Sequence, residues 1–238
     1  MTLEPPLDPA PGSVDPDADD LARGAGTLCS ARYEDSTRER LLSAASWLFC
    51  HYGFQATGVD AIVRRAGTAK TSLYKHFVSK DGLIEAVLER EGAAWRGWFF
   101  AEIGAVQGDA RARLLAVFDV LQKWFADPGF FGCPFINAVG EFDAKNARIR
   151  TLVEAHKVHL NGWITAQAAA AGVADPGLTA RHFTVLIDGA IVAAQVSGDP
   201  TQARHARDLA ALHLDHHAVP AAARRQGRLA GDRGVAGG

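Results

Sequence analysis

Apolar positions recur with a helical period along most of this chain. Leu41, Leu42, Ala45, Leu48, Phe49 and Tyr52 fall at i, i+1, i+4, i+7, i+8 and i+11, which is one face of a helix. Ser36-Thr-Arg-Glu39 precedes them as a capping box and Gly53 follows as a stop. Thr57-Gly-Val-Asp60 reads as a second capping box. It opens a short helix with Val59, Ile62 and Val63 inward, which stops at Ala66-Gly67. A third short helix covers about 69–76, with Leu73 and then Phe77 inward. Ser79 can cap a fourth and longer one bearing Leu83, Ile84, Val87, Leu88, Trp95, Trp98 and Phe99. Further helical stretches are predicted near 109–126, 134–142, 147–171, 178–197 and 200–217. Asp127-Pro-Gly, Asp175-Pro-Gly and Gly198-Asp-Pro break the pattern between most of them. No segment alternates with period two, so the predicted fold class is all-α.

The patterned region is bounded by two segments of different composition. Residues 1–32 are rich in Pro, Asp and Gly and almost lack aromatics, so they cannot bury enough apolar surface to offset ordering entropy. Residues 219–238 read the same way, and both are expected to be disordered tails. That leaves residues 33–80, with three helices, and residues 81–218, with the longer helices. The apolar run from Phe183 to Val196 is broken by Asp188 and Gln195 and reads as too short to span a bilayer, so no membrane partner is expected. The N-terminus has neither the basic nor the apolar region of a signal peptide.

Formal net charge is only −2, but it is unevenly spread. Residues 1–35 carry eight acids against two bases, while residues 36–80 carry seven bases against two acids. A basic block inside a slightly acidic chain suits a localised DNA footprint. It coincides with the stretch Thr57 to Lys80, TGVDAIVRRAGTAKTSLYKHFVSK, where two short helices joined at Ala66-Gly67-Thr68 form a helix-turn-helix. Gly67 suits a turn that needs a positive φ. The outer face of the second helix is Lys70, Thr71, Ser72, Tyr74, Lys75 and His76, a set of short hydroxyls and bases able to enter a major groove. Tyr74, His76 and Lys80 offer donors for phosphate oxygens, and Thr57 stands at a helix N-terminus that favours a phosphate. The plainer alternative is an αα-hairpin with a basic surface.

Leu48-Phe49, Tyr52-Gly53-Phe54, Thr57, Ile62, Ala66-Gly67, Leu73-Tyr74, His76-Phe77 and Ser79-Lys80 together resemble the DNA-binding domain of the TetR family of bacterial regulators. The resemblance implies a homodimer of nine- or ten-helix protomers with a C-terminal domain that senses a small molecule. It also implies phosphate contacts by Thr57, Tyr74, His76 and Lys80 and base contacts by Lys70 to Ser72. Two positions depart from the family pattern. Val63 stands where Ala is usual, and Thr68 replaces the usual Val and can serve as an N-cap. GCPFINAVGEF, from Gly132 to Phe142, is similar to a stretch in one group of these regulators.

The C-terminal region holds most of the large aromatics, which suit either a ligand cavity or an ordinary helical core. Gly132 and Pro134 interrupt regular structure among Phe130, Phe131 and Phe135, which suits a cavity wall. The candidate lining is Trp124, Phe131, Cys133, Phe135, Asn137, His159 and Trp163, with Asn137 or His159 orienting an apolar or aromatic effector. The last two helices are expected to pair across a two-fold axis, with Gly189, Ala190, Ala193 and Ala194 permitting close approach. His156 with His159 and His213 with His216 have chelating spacing, but no cysteine cluster joins them, so neither metal nor cofactor is predicted. Cys29, Cys50 and Cys133 lie far apart and read as free thiols of a reducing, cytoplasmic compartment. There is no G-x-S-x-G, H-E-x-x-H or P-loop, so no enzyme is predicted. The expected function is a DNA-binding regulator, a repressor released from double-stranded operator DNA by a small molecule. The alternative is a helical ligand-binding protein that does not touch DNA.

Overall fold

The computed structural model describes residues 36–142 and 146–218; the two predicted tails and Cys29 lie outside them. Among the described residues there are nine α-helices and no strand. They are α1 (Thr37–Tyr52), α2 (Val59–Arg65), α3 (Lys70–Phe77), α4 (Lys80–Gly104), α5 (Ala110–Phe125), α6 (Pro134–Glu141), α7 (Ala147–Ala171), α8 (Pro176–Ser197) and α9 (Gln202–His217). Helix starts follow short polar side chains: Ser36, Ser79, Asp109, Asn146 and Asp175 each accept a backbone N–H three residues on. Two expected caps do not form. Gly58, not Thr57, caps α2, and Ala69, not Thr68, caps α3, in both cases without a side-chain bond.

Helices α1 to α3 pack around Leu41, Leu42, Ala45, Ile62, Leu73 and Phe77 and sit on the N-terminal half of α4 through Leu83, Ile84, Val87 and Leu88. Tyr52, expected inward, is exposed; Phe54 takes the buried place against Phe49 instead. A polar tie crosses this packing. The buried Glu91 carboxylate accepts from Ser46 of α1 at 2.9 Å and from Arg90 at 2.8 Å. Burial pushes its carboxyl pKa up, while Arg90 and the Ser46 hydroxyl pull it down.

The second half of α4 enters the C-terminal bundle, where α5, α7, α8 and α9 surround Phe99, Phe118, Leu121, Ile164, Phe183 and Ile187. By length and composition α8 could cross a membrane, contrary to the reading that its apolar run is too short. In this fold its Phe183, Ile187, Ala190, Ile191 and Ala194 positions are buried in the bundle. Ala190 and Ala194 therefore serve the protomer's own core rather than a seam with a second copy. Cys133 is a free, buried thiol whose pKa is raised by burial. Cys50 is disulfide-bonded, which corrects the expectation of free thiols at that position.

Candidate nucleic-acid interface

Gly67 adopts φ +59, the left-handed conformation that lets α2 turn sharply into α3. Leu73 and Phe77 anchor α3 in the core. This leaves Lys70, Thr71, Tyr74, Lys75 and His76 of the expected outer face exposed, while Ser72 is half-buried. Lys70 is not free: its ammonium meets Asp60 of α2 at 3.0 Å, and that carboxylate raises its pKa. Thr57 departs from expectation. Its side chain is buried and its hydroxyl donates to the Gly53 carbonyl at 2.7 Å, so it closes the end of α1 instead of facing solvent.

Between α3 and α4, Val78 is the one non-glycine at positive φ among the described residues, at φ 63 and ψ −43. The Ser79 N–H reaches back to Phe77 O at 2.6 Å, closing a strained three-residue γ-turn. That turn carries the chain directly into Lys80, whose ammonium donates to Gln55 O at 3.4 Å. Gln55 is gripped from the other side as well. Its N–H donates to the Glu141 carboxylate, at the end of α6, at 2.8 Å. Gly53 sits at φ +85, a conformation that strains other residues, and a Cβ there would stand 2.9 Å from Glu141 Oε1 and push that carboxylate aside. Phe54 and Phe142 meet beside it, with ring centroids 5.9 Å apart. Helix α6 thus touches the loop that leads into the helix-turn-helix.

The predicted ligand lining is only partly assembled. Phe131, Asn137, Gly132 and Pro134 face a crevice against Ser46, Phe49, Phe54, Val87 and Glu91, at the junction of the two helical groups, with room for about one water. Asn137 is occupied: its Nδ2 donates to Phe131 O at 3.0 Å and its Oδ1 accepts from Gln195 at 3.3 Å. Trp124, Cys133 and Phe135 are buried and Trp163 is half-buried against Phe100. His159 is exposed and bonds only the Ala155 carbonyl of its own helix, so it does not face the interior.

The histidine inside is His156, one turn earlier. Its ring lies flat on Phe135, centroids 4.0 Å apart and planes at 16°, and 5.6 Å from Trp95. Arg96 Nη1 approaches its Nδ1 at 3.2 Å. Burial, then Arg96, Lys157 and His159, push its pKa down to about 3, so the ring is neutral. A sequence signal for it existed. His156 shares a stripe with Ile149, Val153, Leu160 and Ile164, whereas His159 lies off it. Trp95 packs against Phe99 at 4.5 Å and Trp124 at 5.5 Å, and its Nε1–H is buried without a hydrogen-bond partner. Among the described residues no group of three or more His, Cys, Asp or Glu is arranged to hold a metal ion.

Two family descriptions match this chain: "Bacterial regulatory proteins, tetR family" over residues 41–87, and "Tetracyclin repressor-like, C-terminal domain" over residues 110–210. A crystal structure of a TetR-family transcriptional regulator from Streptomyces coelicolor is 30% identical, covering 77% of this chain and 96% of that one with a TM-score of 0.70. The transcriptional activator FasR of Mycolicibacterium smegmatis is 50% identical over 56 residues, 24% of this chain and 26% of that protein. The transcriptional repressor NemR of Escherichia coli is 32% identical over 101 residues, 42% of this chain and 51% of that protein. The chain thus spans about a quarter to a half of the length of these two curated relatives.

Proposed function

This chain belongs to the TetR family of DNA-binding transcriptional regulators, and on that premise we propose that it is an operator-binding homodimer whose hold on DNA is released by a small apolar or aromatic ligand. One observation carries the reading. The polar face of α3 stands clear of the core, while Leu73 and Phe77 fix its orientation. Lys70, Thr71 and Ser72, on the first turn, read base edges in the major groove. Tyr74, Lys75, His76 and Lys80 hold phosphates, and Thr57 contributes through its position at the start of α2 rather than through its committed hydroxyl. A regulator that leaves its operator when its ligand binds acts as a repressor, which is the family's default action. The regulator is cytoplasmic by virtue of its DNA partner.

The second copy supports itself on α8 and α9. Val185, Gly189, Val192 and Val196 leave an exposed stripe on α8, and Leu209 and Leu212 leave another on α9. Pairing these stripes across a two-fold axis sets two α3 helices ~34–36 Å apart, one turn of DNA. Selection of bound fragments from a random duplex library tests the proposal. Enrichment of an inverted repeat is expected; recovery of unselected sequence at every salt concentration would overturn it.

A further inference from the structure

The interior box around Phe135 has a composition that the protomer does not explain by itself. Two of its polar groups are donors, the Trp95 indole N–H and the Arg96 guanidinium. Trp95 Nε1–H is buried with no acceptor among the described residues. Arg96 can only donate, so His156 Nδ1 accepts from it and the ring proton stands on Nε2. The nearest carboxylate along α4, Glu91, is already held by Arg90 and Ser46, and Lys157 is paired with Asp188. A buried donor without a partner costs free energy unless something supplies an acceptor.

The shape is equally particular. Phe135 lies on His156 as one ring on another. Gly92 of α4 lies against the tip of the Phe135 ring, where a Cβ would fall 2.7 Å from Phe135 Cζ and 3.1 Å from Arg96 Nη1. The Phe135 ring therefore fills a tight slot against the His156 ring and the α4 backbone at Gly92, with the Arg96 guanidinium close by. Phe135 belongs to α6, and the far end of that eight-residue helix is Glu141, bonded to Gln55 N–H.

We propose that this slot is the effector site, that its ligand is a planar aromatic carboxylate that takes the place of the Phe135 ring, and that eviction of Phe135 shifts α6 and breaks the Glu141–Gln55 bond. The ligand ring keeps the stack on His156, and its carboxylate receives Arg96 and the Trp95 N–H. This proposal rests on the reading that the chain is an effector-regulated operator binder.

The test uses the full chain, with trans-cinnamate and 2-naphthoate as probes and trans-cinnamamide and hexanoate as controls, followed by calorimetry and by anisotropy of a labelled operator. The acids should bind at least about tenfold more tightly than either control and should release DNA, since a charge-assisted contact and a ring stack are both at stake. Trp95→Phe and Arg96→Gln should each weaken the acids by about tenfold, and Arg96→Gln should erase the preference over the amide. Phe135→Leu, which clears the slot, should tighten acid binding, a gain that a purely structural phenylalanine would not give. The proposal is overturned if neither acid binds in the millimolar range, or if binding ignores all three substitutions. DNA binding without acid binding sinks this inference alone. Acid binding without any DNA binding leaves the site standing and sinks the regulatory reading.

Discussion

His156 is the residue whose environment has the plainest consequence in solution. Its ring is neutral in the folded chain down to about pH 3, while an unfolded chain protonates it near 6.5. Between those values the unfolded state holds a proton that the folded state lacks, so stability falls as pH drops below 6.5. The loss should reach about 2 kcal/mol by pH 5. Urea denaturation at pH 7 and at pH 5 measures it, and His156→Gln should remove most of the difference; an undiminished difference would assign the loss to other groups. Val78 makes a second residue-scale prediction. Its positive φ is costly for a β-branched side chain, and the side chain itself is 83% exposed, so nothing packs against it in return. Val78→Gly should raise stability by about 1 kcal/mol, and Val78→Pro should lower it because the ring forbids that φ. Denaturation midpoints of equal sign for both variants would contradict the γ-turn.

Helix α6 is short and could not hold its place by itself. It is fastened at three points: Phe135 in its slot, Asn137 to Phe131 O and Gln195, and Glu141 to Gln55. Removing the last should loosen the loop in front of the helix-turn-helix. Glu141→Ala is expected to speed hydrogen exchange at the Gln55 amide by about tenfold or more and to weaken operator binding, at a cost of only about 1 kcal/mol in global stability. Unchanged exchange at Gln55 would mean that the carboxylate does not restrain the loop. Elements of this kind were readable in unequal measure. Helix α7 was legible to its ends, because Asn146 and Gly172 punctuate a long stripe of apolar residues. The outer face of α3 was legible because Leu73 and Phe77 fix its orientation by spacing alone. The Thr57 and Thr68 caps were misread, since a local motif cannot reveal that α1 offers Thr57 a carbonyl or that Ala69 sits in the capping conformation. The interior site was the least legible. It depends on which turn of α4 meets which turn of α7, and no periodicity within one helix encodes that pairing.

At the scale of the whole molecule, the proposed dimer covers the exposed stripes on α8 and α9. Val192→Arg should give monomers by sedimentation, since a buried unpaired charge at a seam costs several kcal/mol, and those monomers should hold operator DNA poorly. A stable dimer in that variant would put the interface elsewhere. Helix α8 has a further part in this. Gln195 donates to Phe131 O and to Asn137, on the segment that bears Phe135, while its neighbours Val192 and Val196 lie in the exposed stripe. In the proposed dimer one helix therefore holds the Phe131–Asn137 segment with one residue and the second copy with the residues beside it. On that proposal, occupancy in one protomer alters the seam with the other, and the two sites are coupled. The dose–response of DNA release should then be sigmoidal, with a Hill coefficient above 1 and at most about 2. Such a regulator would answer weakly to traces of its ligand and sharply once a threshold concentration is crossed.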